Sequence, residues 1–108
     1  MWGYRMVDME HVQVTAVHVL GHLRVRLMFS DGLIRDLDLG PLLDAAPAFA
    51  RHRRDPTFFS RVRCQDGTIA WPDNTSLDSF VLHGGADPAA APPPRLIGEH
   101  RPPVEVTG

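Results

Sequence analysis

The sequence predicts a small α+β domain: a short antiparallel sheet in β-β-β-α-β-β-α order, short helices packed on one face, and a disordered C-terminal tail. Three observations predict it. Two Asp-Gly pairs, Asp31-Gly32 and Asp66-Gly67, stand between runs of β-prone residues, a strong short-range hairpin signal. Between them lies a segment rich in Leu, Ala and Phe, broken by Pro41, Pro47 and Pro56, which suits short helices rather than strands. From Ala86 onward Pro and Ala dominate and no aromatic residue offers an anchor. The chain therefore divides into an N-terminal extension 1–10, a single domain 11–85 and a flexible tail 86–108. With 108 residues, 44% of them apolar, the body has enough material for a core without disulfides or metal.

His11 to Leu20 is rich in Val and Thr with apolar residues on both parities, as for a first strand covered on much of both faces. After Gly21 the alternation is strict, with Leu23, Val25, Leu27 and Phe29 on one side and His22, Arg24, Arg26 and Met28 on the other. Register follows from charge as well as hydropathy. A three-residue loop, Ser30-Asp31-Gly32, sets Val25 opposite Leu37 and Leu27 opposite Arg35 while pairing Arg26 with Asp36 and Arg24 with Asp38. A two-residue turn would bring Leu27 against Asp36, so the longer loop with Gly32 in the left-handed position is predicted.

Gly40-Pro41 ends the third strand, and helical turns through Phe49 are broken at Pro47 before resuming to Arg54. Asp55-Pro56 starts one further turn, with Asp55 as N-cap and Phe58 and Phe59 packing over the sheet. A two-residue type I' turn at Asp66-Gly67 pairs Cys64 with Ile69 and Val62 with Trp71 facing inward, and leaves Arg61, Arg63, Thr68 and Ala70 facing outward. Asn74 or Thr75 then caps a last helix carrying Leu77 to Leu82, which Gly84-Gly85 stops.

Most enzymatic chemistries find no support in this pattern. His18 and His22 are four apart, but on strands broken by Gly21 that spacing does not supply one shared face, so no metal site is expected. No serine lies in a nucleophile elbow, and no phosphate-binding or dinucleotide glycine pattern occurs, so no cofactor is expected. Cys64 reads as a small buried hydrophobe. A lone cysteine excludes an internal disulfide, and Met1 to Glu10 hold no apolar stretch of signal-peptide length, so the chain is expected to be cytoplasmic. No apolar run approaches the roughly 20 residues of a membrane helix.

Charge is unevenly spread. All 11 basic residues are Arg, and residues 51–63 hold five of them, Arg51, Arg53, Arg54, Arg61 and Arg63, against Asp55 alone. Guanidinium groups bind phosphate and carboxylate bidentately, so this segment is the candidate anion- or partner-binding surface. A net charge of -2 argues against a dominant positive field of the kind nucleic-acid binders carry.

The order Phe29-Ser30-Asp31-Gly32, Asp38-Leu39, Phe49, Phe59 and Ile69-Ala70-Trp71-Pro72 resembles domain-of-unknown-function family 2442, a bacterial α+β family, over about His11 to Leu82. The resemblance implies no established activity, and its genes often lie beside another small gene in toxin–antitoxin-like pairs. The expectation is therefore a non-catalytic interaction domain that binds a protein encoded nearby, or itself, through a sheet edge or the Arg51 to Arg63 surface. The alternative is a nucleic-acid-binding regulator of antitoxin type using the same arginines.

Overall fold

Three strands form an antiparallel meander: β1 (Val14–Gly21), β2 (Arg24–Phe29) and β3 (Ile34–Asp38). The structure, a computed structural model, describes residues 12–84 and 93–101. The β2–β3 register is the one that charge and hydropathy require, with Arg24 opposite Asp38, Val25 opposite Leu37, Arg26 opposite Asp36 and Leu27 opposite Arg35. The Gly32 amide donates to the Phe29 carbonyl (2.9 Å) and the Phe29 amide to the Leu33 carbonyl (2.9 Å), closing the three-residue loop. Gly32 sits at φ +91°, where a side chain is strained, and the Asp31 carboxylate accepts from the Leu33 amide at 3.0 Å.

Past β3 come α1 (Gly40–Asp44), a 3-10 turn (Pro47–Phe49), α2 (Ala50–Arg54) and α3 (Pro56–Phe59). Each proline lies in the first turn of its helix, where its missing N–H has no helical partner to lose. Asp55 caps α3 as predicted, its carboxylate accepting from the Thr57 and Phe58 amides. The second hairpin is β4 (Arg63–Gln65) and β5 (Thr68–Ala70), with Cys64 opposite Ile69. Asp66 at φ +52° and Gly67 at φ +81° make the type I' turn. Val25, Leu27, Phe29 and Leu37 share one buried cluster with Leu43 of α1, Phe58 and Phe59 of α3, Ile69 and Trp71 of the hairpin region, and Leu82. The helices thus cover one face of the sheet, and the Trp71 indole N–H is satisfied by the Phe59 carbonyl (3.0 Å).

Several expectations are corrected. An unstructured tail does not hold for Arg95–His100, which forms β6 and pairs antiparallel with β3, making the sheet order β1-β2-β3-β6. These six proline-free residues are held by backbone pairing while their side chains are largely exposed, so they display no buried alternation. Tail residues 86–92 and 102–108 and the N-terminal extension 1–10 lie outside the described residues. β1 is an edge strand and buries only Val14, not both faces. The last helix, α4 (Ser79–His83), is capped by Asp78 rather than Asn74 or Thr75. Asn74 takes a left-handed φ of +71°, and the Leu77 amide bonds to the Ile69 carbonyl, holding that stretch extended beside the hairpin. Its Ser76 bridges Ala70 and covers it, so Ala70 is buried rather than outward. Cys64 is exposed rather than buried: its Sγ contacts the Val14 carbonyl (3.7 Å) at the sheet edge, and partial enclosure pushes its thiol pKa up.

Candidate functional site

The five arginines singled out from the sequence occupy α2 and the approach to the second hairpin. Arg51 is exposed and its guanidinium stacks 4.0 Å from the centre of the Phe58 ring. Arg53 is half-buried; its Nη1 meets Asp44 Oδ1 at 3.1 Å, and its carbonyl accepts from His22 Nε2 at 2.7 Å. Arg54, at the end of α2, and Arg61, in the turn after α3, are exposed and form no ion pair among the described residues. Arg63 is exposed too, with its Nε donating to Gln65 Oε1 at 3.0 Å. Three of the five are thus engaged within the fold, and the α2 arginines share no side-chain partner with Arg61 or Arg63 among the described residues. This arrangement offers separate cations, not a convergent clamp.

His52, in the middle of the same run, has the opposite fate and is fully buried. Phe49, Phe58 and Trp71 surround its ring edge-to-face, with centroids at 5.0, 5.0 and 4.6 Å. The Thr75 hydroxyl donates to Asp73 Oδ1 (2.7 Å), so its oxygen accepts from His52 Nε2–H (2.8 Å), which places a proton on Nε2. Burial pushes the His52 pKa down, against the opposing pull of the Asp73 carboxylate. Burial alone would raise the Asp73 carboxyl, but the Thr75 hydroxyl and amide hold it below the usual carboxylate range. Buried at His52 and open to solvent at Asp73, this His-Thr-Asp chain ties α2 to the loop after β5. Its sequence signal was the i, i+3 spacing from Phe49, which places both rings on the core-facing side of the turn.

Opposite the helices, the outer face of the four-stranded sheet is open among the described residues. Three rungs cross it: Arg24, Asp38 and Arg95, then Arg26, Asp36 and Gly98, then Met28, Ile34 and His100. In the second rung Arg26 grips Asp36 bidentately (2.8 and 2.9 Å), a bond that lowers the Asp36 pKa and raises that of Arg26. In the first rung an oxygen of Asp38 accepts from the Gly40 amide (2.8 Å). Arg24 lies opposite Asp38 as predicted but makes no ion pair among the described residues, nor does Arg95. Shallow clefts of about 340 and 380 Å³ flank these rungs, each mixing charged side chains with apolar ones, Met28 and Ile34 in the first and Leu96 and Ile97 in the second.

The two sheet edges differ. At its start β1 is engaged by the second hairpin, the Val14 amide donating to the Gly67 carbonyl at 2.8 Å. Among the described residues β6 pairs with β3 alone, and Leu96 and Ile97 on it are 46% and 52% exposed. A bulge falls at Ile97, between the Asp36–Gly98 and Leu37–Leu96 pairs. Sequence reading missed this edge because it assigned β6 to the tail. Among the described residues no group of three or more His, Cys, Asp or Glu stands where it could hold a metal ion, and no helix is long and apolar enough to cross a membrane.

The fold and its open sheet define a small α+β domain whose edge strands, among the described residues, are β1 and β6. No family model matches the chain, and no curated protein does. Among solved structures it is similar to the crystal structure of a "putative DNA binding protein" from Nitrosomonas europaea, at 33% identity and a TM-score of 0.51. The match covers 57% of this chain and 41% of that one, so more than half of the Nitrosomonas europaea protein lies outside it.

Proposed function

We propose that this chain is a non-catalytic interaction domain, of the kind found in domain-of-unknown-function family 2442, that binds another polypeptide along the free edge of β6. One observation carries the reading: among the described residues β6 is an edge strand with a short neighbour on one side only, and it presents Leu96 and Ile97 to solvent. An exposed edge with apolar side chains is a template for an added strand, because unpaired backbone groups gain partners and the side chains leave water. The product of an adjacent gene, which the family resemblance suggests as partner, is the natural bait. Retention of that product by the full chain, and its loss in the Leu96→Asp/Ile97→Asp variant, is the expected result. Equal retention by both proteins overturns the edge reading.

A second reading is favoured by the neighbour from Nitrosomonas europaea: nucleic-acid binding through Arg51, Arg53, Arg54, Arg61 and Arg63. The free cations Arg54 and Arg61 would carry it, since Arg53 already meets Asp44. It predicts a mobility shift on duplex DNA at low salt that weakens steeply as salt rises and weakens again in the Arg54→Ala/Arg61→Ala variant. Absence of any shift at low salt overturns it.

A further inference from the structure

Resting on β6 as the docking edge, we infer that the strand it receives is acidic, with carboxylates four residues apart that meet Arg95 and His100 on the outer face. Opposite charges on directly opposed residues stabilise a sheet, and like charges destabilise it. The first rung already alternates, Arg24, Asp38, Arg95, and ends on a cation at the edge. Continuing it onto a fifth strand calls for an acid beside Arg95.

The bulge sets the spacing. Arg95 and His100 are five apart in sequence, but their partners on β3, Asp38 and Ile34, are four apart. Both edge residues therefore stand on the outer face, and a strand without a bulge of its own meets them with residues i and i+4. Between them lies Gly98, opposite Asp36. A methyl group there would only touch Asp36 at 3.8 Å, so the rung is a notch over which residue i+2 of the incoming strand can lay a large side chain. On the inner face Glu99 is already met by Arg35 (3.1 Å) and Arg101 (3.4 Å), which lessens its repulsion of an acidic partner.

A second copy of this chain fits the same edge poorly. In the register of fullest overlap, antiparallel pairing of two β6 strands with faces matched sets Arg95 against the copy's His100 and Leu96 against its Glu99, so no opposite charges meet. Charge complementarity selects an acidic segment of another polypeptide.

The test uses the ¹⁵N-labelled full chain and three synthetic peptides of equal length. Each carries Tyr at i+2, with Asp, Ser or Lys at both i and i+4. Shifts of the Arg95–His100 amides are expected with the Asp peptide at about tenfold lower concentration than with the Lys peptide. Arg95→Glu, at an exposed position that makes no ion pair among the described residues, is expected to reverse that order while leaving the remaining amide spectrum in place. Equal binding of all three peptides at β6 overturns the acidic preference and leaves the edge reading standing. Failure of every peptide to perturb β6, or perturbation only elsewhere, overturns the edge reading and this inference with it.

Discussion

Replacing His52 with Phe is expected to flatten the dependence of stability on pH between 7.5 and 5.5. The wild-type ring has no exposed surface and is enclosed by three aromatic side chains, and burial lowers its affinity for a proton in the folded state. The unfolded chain titrates this residue near its ordinary value of 6.5, so below that pH it binds more protons than the folded chain does. Stability contributed by the neutral ring is therefore complete above pH 6.5 and is lost as the solution is acidified toward the depressed folded pKa. The unfolded value caps the loss from pH 7.5 to 5.5 at about 1.4 kcal/mol, or about 5–10 °C in Tm for a domain of this size. Phe fills the same aromatic cage without titrating, and Thr75 keeps its bond to Asp73. Thermal melts of wild type and His52→Phe at the two pH values give the comparison. Equal losses in both proteins would refute the assignment of the acid sensitivity to His52.

Three further substitutions probe the frame. Gly32→Ala forces a side chain into φ +91° and is expected to cost about 1–2 kcal/mol in urea unfolding, with an unchanged m-value. Asp55→Ala removes the acceptor of two α3 amides, and about 1 kcal/mol should be lost by the same measurement. Trp71→Phe keeps most of the ring volume but leaves the Phe59 carbonyl without its indole donor in the core. A loss of about 2 kcal/mol is expected by chemical denaturation followed by far-UV circular dichroism.

Where two independent patterns agreed, the fold was legible in the sequence. The β2–β3 register could be read because hydropathy and charge both reject a two-residue turn, and Asp55-Pro56 because cap and helix-starting proline coincide. β6 was not legible: it is held to β3 through the backbone, its apolar residues are exposed, and Gly98 and the bulge interrupt any alternation. Arg51, Arg53 and Arg54 masked His52, since a run of cations suggests a solvated helix end while the single residue between them turns inward. Nor did the composition of Cys64-Gln65-Asp66 reveal that the short hairpin meets the very edge of β1, which leaves the thiol at the surface. For the candidate site, the five arginines were visible as a cluster in sequence, but their separation into stacked, paired and free cations depends on Phe58, Asp44 and Gln65.

The bond from the Val14 amide to the Gly67 carbonyl has a consequence for the fate of the protein at high concentration. A sheet with two vacant borders can recruit copies end to end and grow without limit, as fibres do. Here the second hairpin occupies the beginning of one border, so an incoming strand can pair with β1 only beyond Val14. The template on that side is shortened, which handicaps end-to-end growth of the kind that two full-length borders would allow.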